Sequence, residues 1–235
     1  MAEGETSTMM MDRLADAAWE MLADMSPRAI HIDDVADAAG ISPAAARAVS
    51  GSITALILHK LQRLDRLAVL ETLADIEDAG EVSVREKIIE SLMHRFEIYA
   101  PWRRQVAQLD AAARRDPALG LRFLDSLVQA MRMLLRMVGD DLAGFKGEAR
   151  VRGLAAVAMV VARTWQTDDT PDLATTMKDI DRRLATAEEW GRTLRVLDGG
   201  SAPDDSVAAT MPDDDDMPDQ APDQTPDHTP GGRYQ

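Results

Sequence analysis

The sequence predicts an all-α fold, and three observations carry that prediction. Up to about residue 197, apolar residues recur at three- and four-residue intervals, the spacing that gathers side chains on one face of a helix. No stretch of useful length alternates apolar and polar residues as a half-buried strand would. The punctuation is helix-capping chemistry: Ser42-Pro43, Asp116-Pro117 and Thr170-Pro171 each set a side-chain oxygen before a proline suited to the first helical position.

Taken in order, the expected helices cover residues 9–24, 33–39, 43–50, 53–78, 84–99, 102–114, 117–138, 145–167 and 171–197. Gly40 closes the second, where a left-handed residue is needed, and Gly80 and Gly139 stand in equivalent places. Ser42 opens the third. Ser83 and Glu86 have the spacing of a capping box at the start of the fifth. The acidic pairs Asp140-Asp141 and Asp168-Asp169 precede helix starts, where carboxylates are favoured by the positive dipole end, so capping is preferred to metal coordination.

Three short helices followed by long amphipathic ones divide the chain into a head, residues 9–52, and a bundle, residues 53–197. Residues 198–235 read as a disordered acidic tail: six of the eleven prolines fall there, with the run Asp213 to Asp216 and a repeated Pro-Asp-Gln. The net charge is -15, but from Asp198 onward ten aspartates stand against one arginine, so the body is only mildly acidic. There is no cysteine, which excludes disulfides and thiolate chemistry. The N-terminus lacks a signal peptide's basic start and apolar run, and no apolar stretch approaches a membrane span, so a cytoplasmic location is expected.

Ile32 to Ser42 has the logic of a helix-turn-helix: a short helix with small residues, a glycine turn, then a capped helix. Trp19, Leu22, Ile30, Val35, Ile41 and Leu56 are its expected core. The order and spacing over residues 12–60 resemble the TetR family, with an Ala-rich first helix, an aspartate-led second and an Ala-Ala-Gly turn. The resemblance implies a three-helix DNA-binding head on a C-terminal ligand-binding and dimerisation bundle. It places Ser42, Pro43, Ala45 and Arg47 at operator DNA. Two features depart from the family pattern: Ile53 stands where a phosphate-binding lysine is usual, and the outward positions of the third helix are alanine with a single arginine. Residues 12–65 also hold eight acidic and five basic side chains, which opposes phosphate binding. DNA contact by this degenerate helix is therefore expected to be weak.

Further blocks extend the resemblance. Leu92 to Phe96 with Ala100-Pro101, Arg114 to Leu119, Arg150 to Leu154 and Asp168 to Ala174 look like an alphaproteobacterial branch of TetR-like proteins. Gly40 to Ala46, Leu56 to His59 and Asp169 to Arg183 are similar to the lipid-binding accessory protein family of coenzyme Q biosynthesis, a TetR-fold family that does not act on DNA. That family's Trp-Tyr signature and C-terminal membrane helix are missing from the corresponding places.

Two readings follow: a ligand-responsive TetR-like transcriptional regulator, or a non-catalytic lipid-binding accessory protein of ubiquinone biosynthesis. Catalysis is not expected. The four histidines are scattered, and no metal-binding pair, phosphate loop or nucleophile elbow occurs, so catalytic residues, metal and cofactor are all expected to be absent. Met93, Phe96, Trp102, Leu109, Phe123, Leu127 and Met131 form an apolar, methionine-rich set suited to core packing, and by resemblance to a pocket for a small hydrophobic or isoprenoid ligand. Gly153, Leu154, Val157, Ala158, Val161 and Trp165 offer a small-residue face, either for intrachain packing or for a homodimer built from the last two helices.

Overall fold

The computed structural model describes residues 2–79 and 82–193, and all regular structure among them is helical. The elements are α1 (Ala2–Met21), α2 (Ile32–Ala39), α3 (Pro43–Val49), α4 (Ile53–Ala79), α5 (Val84–Tyr99), α6 (Arg103–Arg115), α7 (Pro117–Met137), α8 (Gly144–Gln166) and α9 (Ala174–Thr193), with short 3-10 turns before α6 and α9. A helix-turn-helix head, α1 to α3, is followed by a helical bundle. The expected tail at 198–235, the end of the ninth helix beyond 193 and the Gly80 cap lie outside the described residues. Three ends differ from expectation by three residues or more. α1 begins at Ala2 rather than residue 9 and ends at Met21 rather than residue 24. α9 begins at Ala174 rather than residue 171.

In the head, α1, α2 and α3 close over Leu14, Trp19, Leu22, Val35, Ala36 and Ala46, joined by Leu56 and Ile57 of α4, and all of these are fully buried. Ile30 joins them, and Ile41 packs half-buried at the edge. Gly40 adopts φ 63°, ψ 39° at the end of α2. Its N–H donates to Asp37 at 3.1 Å and that of Ile41 to Ala36 at 2.9 Å, closing the helix with the left-handed residue that glycine supplies without a Cβ penalty.

α4 crosses from head to bundle, packing on α1, α5 and α7. Its partnership with α5 is fixed by a buried polar cluster. Arg95 Nε donates to Asp65 Oδ1 at 2.8 Å, and Tyr99 OH donates to the same oxygen at 3.0 Å. The Arg95 guanidinium lies 4.7 Å from the Tyr99 ring centroid. Burial pushes the Tyr99 phenol well above its ordinary range, helped by Asp65. Burial alone would lower Arg95, but the charge and hydrogen bonding of Asp65 and Tyr99 together outweigh it, so its pKa is raised. Beyond the 3-10 turn, Trp102 meets Trp19 of α1 edge-on with centroids 6.3 Å apart, and Lys60 sets its ammonium 5.4 Å from the Trp102 ring. Arg28 adds an ion pair to the α7 cap, Asp116, at 2.8 Å.

The bundle core continues through Leu92, Phe96, Met131, Leu134, Val151, Val161, Trp165 and Ile180. The Trp165 indole N–H donates to the Phe96 carbonyl at 3.0 Å. At the α7–α8 loop, Asp140 does not cap a helix: it accepts from the Leu142 N–H at 2.8 Å and takes two hydrogen bonds of 2.7 Å from Arg150 of α8.

The α8–α9 corner explains the displaced start of α9. Asp168, 4% exposed, accepts from the Thr176 N–H at 2.7 Å and hydroxyl at 2.6 Å with one oxygen. Its other oxygen accepts from the Thr170 N–H and hydroxyl. The expected Thr170-Pro171 start is instead a 3-10 turn in which Asp172 and Leu173 take φ of 55° and 52°. Asp168 caps α9 from across that turn, and Arg103 of α6 donates to the Asp168 carbonyl at 2.7 Å. Burial would raise the Asp168 carboxyl, but the threonine hydrogen bonds outweigh it and hold it well below the usual carboxylate range.

A folded-state pKa below the unfolded value contributes stability above about pH 4, and that contribution is lost as pH falls toward the depressed value. Asp168→Asn should therefore cost about 2–3 kcal/mol at pH 7. It should also flatten the decline in stability between pH 5 and pH 2, read as urea midpoints across that range. A mutant that tracks the wild type in parallel would mean that Asp168 titrates normally.

Candidate functional site

The helix-turn-helix surface is the first candidate. The Ser42 hydroxyl accepts from the Ala45 N–H at 3.3 Å, and Pro43 fills the first turn where no N–H is needed. α3 turns Ser42, Ala44, Arg47 and Ala48 outward, keeps Pro43 and Ala45 half-buried, and buries Ala46 against the head core. Of the four residues placed at DNA by resemblance, Ser42 and Arg47 are exposed. Ile53 packs half-buried against the core.

The electrostatics are unfavourable to a polyanion. Arg47 pairs with Asp33 of α2. Lys60 and Arg63 reach Asp16 at 2.7 and 3.0 Å, His59 lies 2.6 Å from Asp12, and Arg13 donates to the Ala39 carbonyl. Asp33, Asp34 and Asp37 are exposed along α2, beside α3. The Arg47–Asp33 pair is open to solvent and so is worth at most about 1 kcal/mol, which leaves it breakable on binding.

The bundle interior is the second candidate. Met93, Phe96, Leu109 and Met131 are buried within the continuous core, while Phe123, Leu127 and Trp102 are partly buried against it. Trp102 sits apart from the others in role, packed on Trp19 at the head–bundle junction. Sequence reasoning missed Ser126. Its hydroxyl lies on the α7 face shared by Leu119, Phe123 and Ala130, is buried, and has no hydrogen-bond partner among the described residues. Such a group ordinarily costs about 1–3 kcal/mol unless something satisfies it.

The small-residue face of α8 packs largely within its own chain. Leu154, Val157, Ala158, Val161 and Trp165 are buried in their own chain, at 8% exposure or less. Trp165 is committed on both sides, 5.6 Å from the Phe96 ring centroid and 5.2 Å from the Arg103 guanidinium. Of the six, only Gly153 faces outward. Periodicity identified a packed stripe but could not say what it packs on. The outward face of α8 forms instead, with α7, a groove of about 490 Å³. Leu121, Leu124, Val128, Ala156 and Met159 line its apolar part, and Arg132, Glu148 and Arg152 its ionic rim. Arg132 and Arg152 hold Glu148 at 2.6 and 2.9 Å and, through those hydrogen bonds, depress its carboxyl pKa.

No family model and no curated protein sequence matches the chain. Among solved structures it is similar to a TetR transcriptional regulator from Nitrosomonas europaea ATCC 19718, with TM-score 0.59 and 19% identity over 77% of this chain and 98% of the other. It is also similar to a TetR-family transcriptional regulator from Streptomyces coelicolor, with TM-score 0.53 and 19% identity over 83% and 90% of the two chains. At that identity the likeness establishes the architecture. Among the described residues, no helix is long and apolar enough to cross a membrane.

The placement of the α8 residues separates two substitutions on one helix. Ala158→Glu buries an unpaired carboxylate and should cost more than about 3 kcal/mol, lowering the melting temperature sharply. Gly153→Ala meets no atom within 4 Å of the added Cβ and should raise stability by about 0.5–1 kcal/mol. Thermal denaturation of both variants checks the assignment, and equal small effects would contradict it.

Proposed function

We propose that this chain is a non-catalytic, ligand-responsive transcriptional regulator of the TetR type that contacts operator DNA weakly. The observation that carries this reading is the head: a left-handed glycine turn and a hydroxyl-capped helix that presents Ser42 and Arg47 to solvent. A major-groove helix needs that presentation. The paired head cations support the weakness of the contact, because counterion release is gained only by side chains free to meet phosphates.

A small hydrophobic or isoprenoid effector is the proposed ligand. Met93 and Met131 are soft, adaptable side chains, and the unpartnered Ser126 hydroxyl offers such a molecule one polar anchor on the α7 wall. The proposed assembly is a homodimer that keeps α8 but uses its outward face. Gly153 and Ala156 permit close approach there, and Leu121, Leu124 and Met159 supply exposed apolar surface. The exposed acids of α2 favour a second reading, a TetR-fold lipid carrier that does not use DNA. Mass spectrometry of lipids co-purifying with the protein would bear on that reading independently.

Fluorescence anisotropy on genomic duplexes at 50 mM salt is the direct test. Asp33→Asn removes a charge and frees Arg47, and should tighten binding roughly three- to tenfold, whereas Arg47→Ala should weaken it and lower the salt slope by about one. No binding by any of the three proteins would overturn the regulator reading. For the assembly, Met159→Glu should convert a dimer to a folded monomer by sedimentation, since each charge is introduced twice at a two-fold interface. A wild-type monomer at micromolar concentration would remove that interface.

A further inference from the structure

We propose that His94, Asp75 and Glu90 form a binding site for a divalent first-row transition metal, with Zn²⁺ the best match, joining the far half of α4 to α5. Glu90 and His94 stand one turn apart on α5, and Asp75 comes from α4. His94 Nε2 lies 3.1 Å from Asp75 Oδ2 and 3.5 Å from Glu90 Oε1, and one ligand atom from each residue falls within 4.8 Å of the others. Oxygen and nitrogen ligands at about 2.0–2.2 Å from one Zn²⁺ are separated from each other by roughly 3.0–3.5 Å, so the two measured spacings suit neighbouring positions around one ion.

The orientation of the imidazole gives the stronger argument. Thr72 is fully buried, and its hydroxyl donates its only proton to the Ala68 carbonyl at 2.8 Å. Toward His94 Nδ1, 3.1 Å away, it can therefore present only a lone pair. Nδ1 is therefore the ring atom engaged with Thr72, and Nε2 the one that faces the two carboxylates. The hydroxyl behind the ring is the kind of outer partner that fixes a metal-ligating histidine.

The donor set selects the class of ion. One imidazole with two carboxylates suits Zn²⁺, Co²⁺ or Ni²⁺ better than Mg²⁺ or Ca²⁺, which favour oxygen alone. The His94 side chain is 13% exposed, whereas Asp75 and Glu90 are 62% and 51% exposed, so the open side leaves room for water to complete the coordination. The proposal does not depend on DNA binding. Its physical effect is a cross-link between α5 and the helix that also completes the head.

The test uses the full chain, titrated with ZnCl₂ by calorimetry and with CoCl₂ by visible absorption. The wild type should bind one equivalent at this site and gain about 5–10 °C in melting temperature at a hundredfold excess over Kd. Asp75→Asn and Glu90→Gln should each weaken binding at least tenfold. Neither should shift the metal-free melting temperature by more than about 2 °C, because exposed ion pairs contribute little. Zinc-induced change in the ¹⁵N shift of His94 Nε2 in the wild type gives a readout that needs no mutant. The proposal is overturned if that shift is unmoved by zinc and the wild type binds no metal. It is equally overturned if the Asp75→Asn/Glu90→Gln double variant binds as the wild type does, which would move the metal to the aspartates or His228 of the tail.

Discussion

The constraint on which the rest depends is that α4 must complete two hydrophobic cores at once. Leu56 and Ile57 close the head, and further along the same helix Leu64 and Ala68 face the bundle. A helix with those two duties has little freedom to rotate, because turning one end into better packing would turn the other out. The buried Asp65, held by Arg95 and Tyr99, sets that rotation: an uncompensated carboxylate there would be costly, so α5 must dock where its two donors meet it. Ile53 at the head end follows from the same demand, since the position faces packing rather than solvent.

The same economy explains the electrostatic character of the head. Lys60 and Arg63 project from α4 and are drawn down onto Asp12 and Asp16 of α1, where they stitch the head to its connecting helix. Cations that reinforce the α1–α4 packing are withdrawn from any nucleic-acid surface. Arg47 is held more loosely, at a solvent-open pair.

How much of this could be read from the chain depended on how local the chemistry was. Gly40, Ser42-Pro43, Asp116-Pro117 and the Ser83–Glu86 box behave as expected because a cap involves only residues a few positions apart. Thr170-Pro171 misled because the carboxylate that caps α9 is Asp168, reaching over a turn with left-handed residues that no composition rule anticipates. The 3.6-residue period marked Leu154 to Trp165 as a packing stripe, yet period alone is silent on whether the partner is the same chain. Arg47 with Asp33, and His94 with Asp75, are pairings made by tertiary geometry and carry no signature in spacing.

The edge-on meeting of Trp19 and Trp102 gives the molecule a built-in optical gauge. One indole belongs to the head and the other to the bundle, so a tilt of one body on the other changes the coupling of their transition dipoles. Lys60, poised beside the Trp102 ring, makes that ring's emission sensitive to the same displacement. A change in the head–bundle angle therefore reaches near-ultraviolet circular dichroism and intrinsic emission without an attached label, superposed on the signals of Trp165 and Trp190.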